Sequence, residues 1–209
     1  MEPDHAGSIG QVIKKYPNIK LVASDKAVKM LPQFFENVDF TDNIISIKEG
    51  DSLSLGEHTL TFYMAPMVHW PEVMVSYDSK DKVLFSADGF GKFGALSHEE
   101  DWACEARRYY FNIVGKYGQP TQMLLKKAAK LDIQIICPLH GPILTENLGY
   151  YIGLYDTWSK YDVETEGVFI AYASIHGSTA KVAYKLAEIL KEKGAPKISI
   201  AVLCRDDMA

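Results

Sequence analysis

The sequence predicts an α/β chain in two unequal parts. Three observations carry that expectation. Short apolar strands alternate with amphipathic helices along most of the length, a polar stretch at Ser159–Glu166 (SKYDVETE) interrupts them, and beyond it the rhythm becomes a single β-α-β unit. At 209 residues the chain has room for one large domain or two small ones, and the polar stretch divides it at about residue 162, into 1–162 and 163–209.

The elements follow in order. Gly7 to Tyr16 reads as a helix stopped by Pro17-Asn18, Ile19–Ala23 (IKLVA) as a strand, and Asp25–Phe35 as a helix that Pro32 breaks or kinks. Ile44–Ile47 is a short strand. Asp51–Leu55 and His58–Ala65 are strands around a Gly56-Glu57 turn, and Val73–Tyr77 with Val83–Ala87 form a hairpin across the polar turn Asp78–Lys82. Ser97 and Glu100 give an S-x-x-E capping box ahead of a helix to about Lys116. Pro120–Leu131 is helical, Ile133–Cys137 is a buried strand, and a tyrosine-rich helix covers Leu148–Tyr161. The second part reads as strand Val168–Ala173, helix Ser178–Lys193 and strand Lys197–Leu203. One such unit cannot bury a core alone, so both ends of the chain are expected to be cut.

Composition excludes several classes. Hydrophobic residues make up 47% and charged residues 23%, which is globular rather than disordered. With 22 basic against 27 acidic residues the net charge is −5, which argues against nucleic acid as the main partner. No apolar run approaches the ~18 residues of a membrane span, and the first residues lack the order of a signal peptide. Cys104, Cys137 and Cys204 are scattered and form no disulfide framework. A reducing cytoplasm and no membrane are expected.

Six polar residues stand out. Glu2, Asp4 and His5 crowd the start of the chain, where termini are usually frayed and chemistry is rarely built. His69, Asp88 and His140 each follow the carboxyl end of an apolar strand, and each is followed closely by glycine or proline. Imidazole with carboxylate suits iron, manganese or zinc. Taken singly, Asp4 also reads as a helix N-cap, Asp88 as a turn former before Gly89, and His69 and His140 as loop histidines. His58 and His98 carry only such structural readings. A second candidate is Ser174-Ile175-His176-Gly177-Ser178-Thr179, which joins a strand to a helix. Free amides and the helix dipole favour an anion there, and Ser174, Ser178 and Thr179 surround it with hydroxyls. A plainly capped helix is the other reading. No Walker lysine follows the glycine, which disfavours a nucleoside triphosphate.

These segments resemble a known family. Glu2-x-Asp4-His5-Ala6-Gly7-Ser8 resembles the tail of the H-x-E-x-D-H-[SA]-G-S signature of the flavodiiron proteins. His69-Trp70-Pro71, Ser86-Ala87-Asp88-Gly89-Phe90-Gly91 and Pro138-Leu139-His140-Gly141-Pro142 resemble that family's later ligand segments, in the family's order. Tyr172–Thr179 resembles its flavodoxin phosphate loop, and Arg205-Asp206-Asp207-Met208 the start of the next loop. Hydrolases of the related fold usually carry histidine where this chain has Glu2. A carboxylate there favours redox iron over hydrolytic zinc.

The resemblance implies a metallo-β-lactamase-like αββα sandwich, N-terminally truncated, then the start of a flavodoxin-like doubly wound domain. It implies two non-haem irons and FMN, and reduction of O2 to water or of nitric oxide to nitrous oxide. Electrons would come from a donor such as rubredoxin or a flavin reductase. By matched position Glu2 and His69 bind one iron, Asp4, His5 and His140 the other, and Asp88 bridges. Ser174, Ile175, His176, Gly177, Ser178 and Thr179 cradle the FMN phosphate. A head-to-tail homodimer would bring the partner's FMN beside the irons. The signature's first histidine would lie one residue before Met1. Without it the expectation is iron nearer one than two per chain, little FMN and poor turnover. The alternatives are a zinc-dependent hydrolase of the same fold, or a fragment retaining only metal and phosphate binding.

Overall fold

The computed structural model describes residues 2–98 and 100–206. The chain forms two compact units, 1–162 and 163–209. Met1, as the signature's variable position, and Asp207-Met208 of the next loop lie outside the described residues.

The first unit opens with two short helices, α1 (Pro3–Ala6) and α2 (Ile9–Lys15), where the sequence suggests one helix from Gly7. Strand β1 (Leu21–Ser24) and β2 (Ile44–Ile47) pair in parallel as their own two-stranded sheet, bridged by α3 (Asp25–Phe34). Ser24 caps α3 by accepting from the Ala27 amide. Pro32 does not end this helix, which runs two residues further.

A five-stranded sheet follows, ordered β3 (Ser52–Ser54), β4 (Thr59–Met64), β5 (Met74–Asp78), β6 (Val83–Phe85) and β7 (Ile135–Cys137). Its neighbours are antiparallel except β6 and β7, which run parallel. A parallel step needs a long crossover. Here it contains α4 (Trp102–Ile113), a 3-10 turn at Gly115–Tyr117, and α5 (Gly118–Ala128). The sheet's chain order thus delivers the ends of β6 and β7 side by side, and these ends carry Asp88 and His140.

Helix α4 buries Trp102, Ala103, Ala106, Tyr109 and Tyr110, the face that a 3.6-residue period brings together. Trp102, Ala103, Ala106 and Tyr110 join Tyr155 and Trp158 of α6 (Leu148–Lys160) against Leu84 and Ile136 of the sheet. Each buried aromatic of this kind contributes about 1.5–3 kcal/mol of transfer free energy. Helices α5 and α6 meet where Gly118 leaves room, since a Cβ there would lie 2.4 Å from the Ser159 carbonyl oxygen.

Two local expectations are corrected. The cap of α4 is Asp101, whose carboxylate accepts from the Ala103 and Cys104 amides, and not Ser97. Glu100 turns instead to Lys92. The linker does not begin at Ser159, because α6 continues to Lys160 with Ser159 buried in it, donating to the Tyr155 carbonyl.

The second unit is a parallel pair, β8 (Val168–Tyr172) and β9 (Ile198–Val202), joined by α7 (Ser178–Glu192). Among its described residues many apolar side chains stay exposed, including Phe169, Val182 and Leu203. Among the described residues of the chain, no helix is long and apolar enough to cross a membrane.

Candidate metal centre

The site is built by loops that strand order brings together. The Glu2 carbonyl accepts from the His5 and Ala6 amides, so α1 starts on Glu2 itself. Its side chain is carried inward, and the residue is 7% exposed. The start of the chain is therefore packed where a frayed end is the usual case. His69 lies on the β4–β5 connection, fixed beneath by Val68, one of the most deeply buried side chains, and by the Met67 amide on the Trp70 carbonyl.

Asp88 sits on a tight turn after β6. Ser86 closes this turn by donating to the Gly89 carbonyl at 2.6 Å. Ala87 and Phe90 on either side adopt φ of +51° and +66°, a conformation that costs a non-glycine residue about 1–3 kcal/mol. Packing holds them there: the Phe90 amide donates to the Tyr155 hydroxyl at 2.8 Å, and the two rings pack at a tilt of 34° with centroids 4.4 Å apart. His140 follows β7, and the Leu139 amide ties its loop to the Ala87 carbonyl at 2.9 Å.

All six sequence-selected residues meet on one rim, in two groups. Asp4, His5 and His140 form one, and Glu2, His69 and Asp88 the other, each with ligand atoms within 4.8 Å of one another. The nitrogens Nε2 of His5 and His140 lie 3.0 Å apart, and the Asp4 carboxylate lies 3.4 and 3.2 Å from them. Asp88 faces both groups. Its Oδ1 is 3.3 Å from His5 Nε2 and 3.7 Å from His140 Nε2, while its Oδ2 is 2.9 Å from His69 Nε2. Glu2 Oε1 lies 3.8 Å from the same His69 nitrogen.

The arrangement is short of positive charge. Burial first, and then the charge of Asp88, push the Glu2 carboxyl up to about 7. Buried Glu2 Oε1 and Asp88 Oδ1 have no hydrogen-bond partner, although Asp88 is only 3% exposed. Orphaned buried carboxylate oxygens are costly unless something polar or charged completes them. Metal–ligand bonds of about 2.1 Å place neighbouring ligand atoms about 3 Å apart, the spacing found here. The donor set of imidazoles and carboxylates fits iron, manganese or zinc. The residues present therefore fit a pair of metal ions sharing Asp88.

Sequence reasoning missed Tyr109. It is buried on α4, its ring centroid is 5.7 Å from that of His140, and its hydroxyl has no partner in good geometry. Burial and the nearby Asp88 charge hold its phenol well above the usual range. In the run Arg107-Arg108-Tyr109-Tyr110 nothing separates this tyrosine from an ordinary core aromatic.

In the second unit, Ser174 to Thr179 form the turn into α7. Gly177 stands at its N-cap with φ +81° and no side chain caps the helix. Ile175 is 93% exposed, and His176, Ser178 and Thr179 are exposed as well. The first amides of α7 are left without a side-chain acceptor, which suits an anion.

The chain is similar to several known proteins. Residues 1–141 match the family described as ODP family beta lactamase. The chain is 32% identical to the nitric oxide reductase of Moorella thermoacetica, over 92% of this chain and 50% of that protein. It superposes on the rubredoxin oxygen:oxidoreductase of Desulfovibrio gigas with a TM-score of 0.84 and 31% identity, over 95% of this chain and 51% of that one. For the flavodiiron protein of Giardia intestinalis the TM-score is 0.85 at 25% identity, over 96% and 50%. The chain thus spans about half the length of these relatives. Its fold is metallo-β-lactamase-like in the first unit, and the second unit is a parallel β-α-β. With residues 1–141 matching the family, the chain belongs to the ODP family of β-lactamase-like proteins, and it is similar in sequence and structure to flavodiiron proteins.

Proposed function

We propose that the rim of the first unit holds two non-haem irons, and that in the whole protein it reduces O2 to water or nitric oxide to nitrous oxide. The observation that carries this is Asp88, whose two carboxylate oxygens face separate histidine–carboxylate groups. Two adjacent irons would supply electrons and Lewis acidity to both ends of a diatomic molecule. Glu2 and His69 hold one position, Asp4, His5 and His140 the other, and Asp88 spans them. Three carboxylates around the rim favour a harder, more highly charged ion over the zinc of related hydrolases. Tyr109 is buried beside His140, and burial with the Asp88 charge holds its phenol well above the usual range, so it keeps its proton and is not a ligand.

Ser174 to Thr179 and the start of α7 cradle the phosphate of FMN, the carrier through which a rubredoxin or flavin reductase delivers electrons. The nitric oxide reductase and rubredoxin oxygen:oxidoreductase relatives support this chemistry. The whole protein works as a head-to-tail homodimer, with one protomer's flavin beside its partner's irons.

The test is anaerobic reconstitution with Fe(II), followed by metal analysis and Mössbauer spectroscopy. In the whole protein, iron retained as a magnetically coupled pair is the expected result. Preference for zinc together with thioester cleavage would favour the hydrolase.

A further inference from the structure

We propose that the Lys92–Glu100 ion pair is a clasp that positions the His140 loop, and so sets how tightly the Asp4, His5 and His140 group holds its metal ion. The inference rests on the reading of that group as a metal site.

Lys92 is 7% exposed, and a lysine is almost never buried unless it is paired. Its Nζ lies 2.5 Å from Glu100 Oε1. The rest of the residue bears on the loop that carries His140. A Cβ at Gly141 would come 2.9 Å from Lys92 Cγ and 3.2 Å from the Lys92 amide nitrogen. One residue earlier, a Cβ at Gly91 would lie 3.1 Å from the Asp88 carbonyl oxygen and 3.2 Å from that of His140. The backbone after Asp88 therefore runs flush against the backbone after His140, with no side chain between them. Glu100 reaches across Gly94, where a Cβ would fall 2.0 Å from its Oε1. The His140 side chain is 38% exposed, so the backbone beneath it does much to fix its place. An ammonium cannot ligate a metal, so Lys92 acts through His140 and is a positioning residue.

Electrostatics alone predict the opposite sign. If Lys92 acted only as a nearby positive charge, removing it would strengthen cation binding. The clasp predicts weakening.

The experiment titrates Co(II) anaerobically into the 209-residue chain, read by absorption and calorimetry, with thermal melting alongside. The first equivalent is assigned by its loss in His5→Ala. Lys92→Ala and Lys92→Glu are expected to weaken that equivalent about tenfold, the range for residues that orient a ligand, and to leave the second unchanged. Lys92→Arg and the exchanged pair Lys92→Glu/Glu100→Lys are expected to restore it. Glu100→Gln, which keeps shape and removes charge, gives the same loss and stands in if the lysine variants fail to fold. Tighter or unchanged binding in Lys92→Ala, no recovery in the exchanged pair, or parallel weakening of both equivalents with melting temperature overturns the clasp. No Co(II) uptake by the wild-type chain overturns the metal reading and the clasp together.

Discussion

The rim of the first unit and the helix start of the second are both gatherings of polar side chains at strand ends, yet they are built in opposite ways. The rim draws Glu2, Asp4, His5, His69, Asp88 and His140 from four separate segments and buries Glu2 and Asp88. The loop from Ser174 to Thr179 is one continuous piece of chain, and Ile175 in it is 93% exposed. A site assembled from distant segments depends on the whole core, and its orphaned oxygens record a charge that the protein alone does not balance. A site made of consecutive residues depends on one turn and one helix dipole. Damage should spread widely in the first and stay local in the second.

The largest effect is expected at Asp88, the residue both groups share. Asp88→Asn keeps the shape and removes the charge that spans the rim. Affinity for Fe(II) or Co(II) is expected to fall by about a hundredfold or more at both positions, since even residues outside the coordination shell cost 10–100-fold. Calorimetric titration checks it. Loss at only one position would show that Asp88 belongs to a single group.

Tyr155 tests how far the rim depends on the core. Its hydroxyl is the acceptor for the Phe90 amide, two residues beyond Asp88. Tyr155→Phe leaves that amide buried and unpaired, which is expected to cost about 1–3 kcal/mol in denaturant unfolding. It also frees a strained turn, so metal affinity should fall together with stability. Unchanged unfolding would mean that the turn is held without the core.

This dependence explains what was legible in the sequence. The six rim residues could be picked out by local signals: Glu2, Asp4 and His5 crowd the start of the chain, and His69, Asp88 and His140 each follow a strand end and precede glycine or proline closely. Tyr109 and Tyr155 could not, because their part in the site depends on which loop packs against α4 and α6. The capping box at Ser97 and Glu100 misled for the same reason: Glu100 finds Lys92, a tertiary partner, and Asp101 takes the cap. Ser159 looked like linker because its polar side chain is satisfied within α6 and by Gln122 of α5, which spacing does not reveal. The expected division near residue 162 rests on the polar stretch 159–166 and on the change of rhythm after it.

The helix start of the second unit should behave as the local case. Ser178→Ala with Thr179→Ala is expected to weaken binding of FMN or inorganic phosphate to α7 by roughly five- to a hundredfold, each lost hydrogen bond being worth about 0.5–1.5 kcal/mol. Metal uptake in the first unit should not change. Fluorescence titration with FMN, paired with Co(II) titration of the same variant, separates the two. A change in metal uptake would show that the two regions are not independent.

The smallest effect sharpens the comparison from within the first unit. His58, Asp78 and Asp81 form a third histidine–carboxylate group of the same residue types as the rim. It differs in being self-satisfied: His58 Nδ1 lies 2.6 Å from Asp78 Oδ2, and the Lys80 amide donates to Asp78 Oδ1 at 3.1 Å. No oxygen of Asp78 is orphaned as those of Glu2 and Asp88 are, so this group needs no metal. The hydrogen bond from His58 holds the Asp78 carboxyl below its usual range. A depressed carboxylate contributes stability above its unfolded pKa of about 3.9, and the contribution is lost as pH falls through the folded value. His58→Ala is therefore expected to lower stability slightly near pH 7, to lose that difference from the wild type as pH falls below about 3.9, and to leave the number of bound Co(II) ions as in the wild type. Unfolding followed by circular dichroism between pH 2 and 7 reads the first two. A drop in Co(II) stoichiometry would show that residue type, and not the presence of unsatisfied buried oxygens, marks a metal site in this protein.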